Sequence, residues 1–318
     1  MTRFDLATIG EAALRLSVPA GERFETAPSF DAALVGAEAN VATALASLGW
    51  RATWASALPD SPFGRRVVRS LSSFGLDLSA VATVPGGRLG NHFVEYGSAP
   101  RPTRVHFDRA GSTFAQMSVA DVAWDVLLDT RILHLTGISA AVSPTSLEIV
   151  EHAAQEAARR GVTVSFDVNY RARLWDVETA AARLAPVLTS AQILFCSRRD
   201  AAALFDVHGS APEVAARLAD RFGARYVVVS DSDRAIGAWL DGESRERDVL
   251  AVRTVDRLGA GDGLAAGFLH GVLGGDPVFG LDAAVGVAAL AMAQRTEQVV
   301  TTPEELVAVI AGAGDLDR

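Results

Sequence analysis

The chain opens with a short apolar run over residues 6–9 that stops at Gly10, the pattern of a strand buried in a parallel sheet. Residues 11–35 lose that simplicity: Pro19, Gly21 and Pro28 interrupt a scattered alternation, which predicts short strands and turns near a surface. A helical period then sets in over 36–48, with Val41, Leu45 and Leu48 on one face and Gly49 as its stop. A strand over 53–58 and an amphipathic helix over 65–74, closed by Gly75, follow. Alternation returns over 89–107 through His92, Val94, Tyr96, Val105 and Phe107, with Gly97, Pro100 and Pro102 at a turn, and predicts a β-hairpin.

Beyond residue 121 the pattern becomes regular. Strands are predicted over 132–135, 162–167, 193–196 and 226–230, and helices over 146–160, 177–188, 212–222, 261–271 and 280–293. Such alternation predicts a parallel sheet with helices on both faces. The two irregular β segments would form a small second layer over one edge or mouth of that sheet. No internal repeat or low-complexity tract interrupts the chain.

Composition narrows the classes of function. At 318 residues and 49% hydrophobic content there is ample material for one large α/β core. The net charge of −9 leaves no basic surplus for general nucleic-acid binding. No apolar run is long enough to span a bilayer, and the first residues lack the basic and apolar regions of a signal peptide. With Cys196 as the one cysteine, this predicts a cytoplasmic protein without an internal disulfide. All 29 basic residues are Arg. The absence of Lys excludes P-loop and protein-kinase architectures, Schiff-base aldolases and pyridoxal phosphate enzymes. The six His residues show no ligand spacing for a transition metal, and the five Trp residues read as packing.

The chemistry concentrates in Asp256-Arg257-Leu258-Gly259-Ala260-Gly261-Asp262, which runs into an apolar, Ala-rich helix. Glycines turn the backbone so that its N–H groups and the helix N-terminus form an anion site. Asp262 inside such a site could simply favour the helix dipole. It gains a purpose if it takes a proton from a hydroxyl while phosphate charge builds beside it. Gly259-x-Gly261 also suggests a dinucleotide fingerprint, but Leu264 stands where a third Gly or Ala belongs and the motif lies late in the chain.

Together with Gly36-Ala37-Glu38-Ala39-Asn40-Val41-Ala42 and Leu48-Gly49 some 220 residues upstream, the Gly-Ala-Gly-Asp segment resembles the ribokinase-like (PfkB) carbohydrate kinases over essentially the whole chain. The resemblance implies a Rossmann-like three-layer α/β/α core (1–10, 36–88 and 113–318) and a small β-sheet lid (11–35 and 89–112) that often makes a dimer interface. It implies ATP as phosphate donor with Mg²⁺, and a monovalent cation such as K⁺ as a further candidate. Within the family the pattern is most similar to 2-keto-3-deoxygluconate kinases, carried by Val105-His106-Phe107-Asp108-Arg109-Ala110-Gly111-Ser112 and by Asp167-Val168-Asn169-Tyr170-Arg171-Ala172-Arg173-Leu174-Trp175.

Carried onto this sequence, the resemblance implies Asp262 as general base and the Gly259, Ala260 and Gly261 amides as an anion hole. Gly36 and Asn40 would meet the substrate, and Arg109 and Arg171 its carboxylate, for which Arg is the natural bidentate partner. Ser197, Ser230 and Gly237 would line the nucleotide site, and Asp200 would reach Mg²⁺ through water. The chain departs from the family pattern at several points. His92 and Phe107 replace lid tyrosines, and Arg257 replaces Thr. Ser197-Arg198-Arg199-Asp200 replaces Asn-x-x-Glu, Ser230-Asp231-Ser232-Asp233-Arg234 precedes a Gly only at 237, and Thr296-Glu297 replaces Gly-Asp. The expected activity is therefore phosphorylation of a sugar acid, with a neutral-sugar kinase or a non-catalytic sensor as alternatives.

Overall fold

A computed structural model describes residues 2–97, 100–232 and 234–312. Asp233 in the strand-end departure, and Met1, 98–99 and 313–318 of the expected core and lid spans, lie outside them.

The strands are β1 (Phe4–Ile9), β2 (Ala13–Val18), β3 (Asp31–Val35), β4 (Ala52–Pro59), β5 (Val81–Val84), β6 (Gly90–Glu95), β7 (Arg104–Asp108), β8 (Thr130–Thr136), β9 (Thr163–Asp167), β10 (Ile193–Ser197), β11 (Tyr226–Asp231), β12 (Ala235–Leu240) and β13 (Glu243–Asp248). The helices are α1 (Ala37–Ser47), α2 (Pro62–Ser72), α3 (Trp124–Leu127), α4 (Gly137–Ala140), α5 (Pro144–Arg160), α6 (Val177–Leu188), α7 (Arg198–Phe205), α8 (Ala211–Phe222), α9 (Ala260–Gly274), α10 (Pro277–Met292) and α11 (Pro303–Ile310). Among the described residues no helix is long and apolar enough to cross a membrane.

Nine strands form one sheet in the order β13-β12-β11-β10-β9-β8-β1-β4-β5. From β11 to β5 the neighbours run parallel. Alternate side chains enter two cores. Val227 and Val229 of β11 pack with α5, α6 and α8, whereas Tyr226 and Val228 pack with Phe268 and Leu281 of α9 and α10. This double coverage explains why the parallel strands read as continuous apolar runs.

One edge of the sheet adds two antiparallel strands that the sequence reading did not assign. β12 pairs antiparallel with β11, and β13 antiparallel with β12. Asp241 (φ 49°) and Gly242 (φ 98°) make the two-residue turn between β12 and β13, and an Asp-Gly pair suits two successive left-handed positions. β13 (ESRERD) is almost wholly exposed, so no hydrophobic pattern announces it. Helix starts also fall earlier than the periodicity suggests. Ser61 and Asp276 cap α2 and α10, and Pro62 and Pro277 occupy the first helical position, where a missing N–H costs nothing.

The second sheet has the order β3-β2-β6-β7, with β2 and β6 parallel and the outer pairs antiparallel. It draws on both irregular segments. Chain order reverses at β1, which lies between β8 and β4. In open α/β sheets the crevice beyond the strand ends at such a reversal is where ligands bind.

Candidate active site

A cavity of about 480 Å³ lies between the lid and the carboxyl ends of β1, β9, β10 and β11. Its floor is the start of α9. Gly259 sits before that helix with φ 85°, a conformation that side chains resist, and no side chain caps the helix. The first-turn N–H groups therefore remain available to an anion. Gly259, Gly261 and Asp262 line the cavity, whereas Ala260 does not.

Asp262 is only 9% exposed. Burial pushes its carboxyl well above the usual range; the amide of Asn40 and the charge of Arg171 oppose that rise, and Glu297 and Asp167 add to it. Asn40 itself does not line the cavity. Its Nδ2 donates to Asp262 Oδ2 at 2.7 Å and to Glu297 Oε2 at 3.1 Å, and its Oδ1 accepts from Gln298 Nε2 at 2.7 Å. The amide of this residue, expected to meet substrate, is thus engaged inside the protein with Asp262, Glu297 and Gln298.

The lid closes the opposite wall. Arg109 is buried and ion-paired with Glu11 at 2.5 Å, while its Nε and Nη1 have no protein partner. His92 packs edge-on against Phe107 at 4.7 Å between ring centroids. Burial, with the charges of Arg109, Arg15 and Arg171 beside it, pushes the His92 pKa down to about 3, so the ring is neutral and its buried Nε2 is unpartnered. Gly36, His92, Phe107 and Arg109 all line the cavity.

Beyond β9, Asn169 takes φ 40° and donates to both oxygens of Asp167, at 3.1 Å from its N–H and 3.0 Å from Nδ2. Asn tolerates that conformation because its short side chain bonds locally. The turn brings the exposed Arg171 to the cavity wall, where it donates to the Tyr170 carbonyl. Arg173 in the same loop donates to the Val105 carbonyl of β7 and ties the loop to the lid.

A second cavity, about 530 Å³, shares Ser197, Arg199 and Ser230 with the first. Ser197 caps α7 by accepting from the Asp200 N–H at 3.0 Å. Asp231 pairs with Arg198 at 3.0 Å, and Ser232 adopts φ 55° where Gly would be at ease. Gly237 lines neither cavity. It lies mid-strand in β12, where a Cβ would come within 2.1 Å of the Ala211 carbonyl carbon at the start of α8. That packing gives Gly237 a structural reason of its own beside the nucleotide contact expected of it.

Among the described residues no cluster of three or more His, Cys, Asp or Glu side chains could cage a metal. Asp200 is buried, lines the first cavity and pairs with Arg199 at 3.1 Å. One carboxylate beside phosphate oxygens fits Mg²⁺, which keeps several of its waters.

Several site residues received no role from the sequence. Glu38 is buried, accepts from Thr136 Oγ1 at 2.6 Å, and is pushed up to about 7 by burial. Asp167 is pushed up to about 6 by burial, partly offset by Asn169 and Arg171. Both stood inside motifs already singled out. Arg15 faces inward on β2 with Ala13, at the strand period of two, and Glu297, noted in the sequence only as part of the Thr296-Glu297 departure, lines the cavity from a distant loop.

Comparison with known proteins adds the following. A model of the pfkB family carbohydrate kinases matches residues 3–305. A 2-dehydro-3-deoxygalactonokinase of Haloferax volcanii is 37% identical over 317 residues, covering 99% of both chains. A 2-dehydro-3-deoxygluconokinase of Thermoproteus tenax is 30% identical over 305 residues, covering 94% of this chain and 92% of that one. The crystal structure of 2-dehydro-3-deoxygluconokinase from Thermotoga maritima superposes with a TM-score of 0.91 at 29% identity, over 97% of this chain and 98% of that one.

Proposed function

The chain belongs to the pfkB family of carbohydrate kinases, and from that membership we propose that it transfers the γ-phosphate of ATP to a hydroxyl of a 2-keto-3-deoxy sugar acid, the gluconate form or its galactonate epimer. The observation that carries this reading is the shared cavity of Asp262 and Arg109: a buried base at an uncapped helix start faces a guanidinium with two unpartnered nitrogens. Arg109 offers those donors to the substrate carboxylate, and Arg171 supplies a second charge at the same wall. Neutral His92 can donate to or accept from a keto or hydroxyl group without adding charge.

Asp262 takes the hydroxyl proton as the oxygen bonds to the γ-phosphorus and the bond to the ADP oxygen breaks. The first-turn N–H groups of α9 and its dipole stabilise the charge on the transferring phosphoryl group. Ser197 and Ser230, shared by both cavities, fit the nucleotide side. Mg²⁺, held through water near Asp200, would neutralise part of the phosphate charge when bound. The lid shields the transfer from water. Its outer face, where Phe24 meets Phe30 and Phe93 at 5.7 and 6.2 Å and Phe30 is 48% exposed, suits pairing with a second copy.

The test is ADP release with Mg-ATP against both keto-deoxy acids, gluconate, fructose and ribose, with Asp262→Asn alongside. Turnover confined to the keto-deoxy acids and lost in the variant is expected. Turnover on a neutral sugar alone would refute the sugar-acid assignment, and an active Asp262→Asn would refute the base.

A further inference from the structure

Arg15 stands on the lid, yet its side chain ends in the core. It is 3% exposed and its Nη1 donates to Asp256 Oδ2 at 3.1 Å and to Glu297 Oε1 at 3.0 Å. Its Nη2 donates to the Arg295 carbonyl, and Tyr96, just beyond β6, donates its hydroxyl to the same Asp256 oxygen. Glu297 passes the contact on: its other oxygen accepts from Asn40, whose amide also holds Asp262. A continuous chain of charged and polar contacts therefore runs from the lid through Glu297 and Asn40 to the base.

The charge balance gives that chain a purpose. Asp256, Glu297 and Asp262 are three carboxyl groups beside a loop that must accept phosphate and, on the reading above, a sugar carboxylate. Without a cation, the buried Asp256 and the partly buried Glu297 would both lack an ion-pair partner, an arrangement that proteins avoid. The planar guanidinium meets two carboxylates and a carbonyl at once, from two nitrogens held in a fixed plane. A purely architectural tie between lid and core would not need to contact the carboxylate that shares Asn40 with the base.

We propose that Arg15 is a positioning residue for phosphoryl transfer, a fixed cation supplied by the lid that holds the Glu297 carboxylate so that Asn40 stays directed at Asp262. The inference rests on Asp262 being the base. The groups facing Asp262 are Asn40 from α1, Glu297 from the loop after α10, and Asp167 and Arg171 from β9 and the loop beyond it. Loss of Arg15 leaves Glu297 uncompensated and makes the surroundings of Asp262 more negative, which disfavours its ionised form.

The experiment compares wild type, Arg15→Gln, Arg15→Ala, Arg15→Gln/Glu297→Gln and Asp262→Asn by kcat and KM across pH, with melting temperatures alongside. Arg15→Gln is expected to lose about 10-fold in kcat at neutral pH, with the acid limb of its profile about one pH unit higher, while the acceptor KM changes little. The double variant removes both charges and should return the limb to its wild-type position. Millimolar guanidinium should raise kcat of Arg15→Ala and leave wild type unaffected. If Arg15→Ala does not fold, the glutamine variants carry the same comparison. A lower melting temperature with an unmoved limb would make Arg15 a structural tie and overturn the proposal. An unmoved limb beside an inactive Asp262→Asn overturns only the role of Arg15, whereas an active Asp262→Asn overturns the base assignment and this inference together.

Discussion

Replacing Asn40 with Ala separates two roles that the sequence alone cannot distinguish. The substitution removes the 2.7 Å bond from Nδ2 to Asp262 Oδ2 and leaves Gln298 Nε2 with only the Leu34 carbonyl, at 3.2 Å. A hydrogen bond to a charged group contributes about 1.5–3 kcal/mol. Asn40 is the largest influence opposing the burial that raises the Asp262 pKa. At about 1.4 kcal/mol per pH unit, its loss moves the acid limb of the kcat/KM profile up by about 1–2 units. The sign follows from the charge: the base works ionised, burial already favours the protonated form, and removal of a donor favours it further. Below the limb, activity should fall roughly 10- to 100-fold at fixed pH. The assay is coupled ADP release over a pH series at saturating ATP, with acceptor KM measured at each pH. An acceptor KM that rises while the limb stays in place would refute this reasoning and return Asn40 to a direct substrate contact.

Further outcomes follow from other residues. Glu38→Gln should flatten the pH dependence of stability: the folded-state pKa is about 7 against an ordinary 4.5, so wild type loses stability as pH rises from about 4.5 through about 7, by an order of 3 kcal/mol, and urea unfolding at pH 5 and pH 8 reads the difference. Arg109→Lys keeps a cation for Glu11 but loses the planar fork, and should raise KM for a keto-deoxy acid about 10-fold; an equal rise for a neutral acceptor would argue against carboxylate recognition. Gly237→Ala drives a methyl into the Ala211–Pro212 backbone and should cost about 1–3 kcal/mol, seen as a lower melting temperature with ATP KM unchanged, whereas a raised ATP KM at an unchanged melting temperature would restore a nucleotide role.

The parallel core was legible because strands buried on both faces leave uninterrupted apolar runs, as in Tyr226-Val227-Val228-Val229. The Gly-Ala-Gly-Asp turn was legible for a different reason: a left-handed Gly259 and an acid at a helix start are local requirements. β13 stayed hidden because an exposed edge strand has no face to bury, although Asp241-Gly242 marks its turn. Gly237 was ambiguous because a glycine needed for close approach looks the same in sequence as one needed beside a phosphate. Arg15 and Glu297 were invisible as partners, since nothing local records that a lid strand and a late loop will meet.

The separation of those partners has a consequence for how the enzyme comes into being. Asn40 and Asp262 touch across a sequence separation of 222, and Arg15 and Asp256 across one of 241. At a synthesis rate of about 5–20 residues per second, the ribosome needs roughly 10–45 seconds to travel from the first member of the Asn40 pair to the second. Arg15 is made well before either of its acidic partners, and β1 before β8, its neighbour on one side. The site proposed for catalysis is therefore among the last parts of the molecule to be completed, and a chain that ends before Glu297 lacks part of it. On that reading, activity doubles as a report that the chain has been made at least through Glu297 and has closed upon itself.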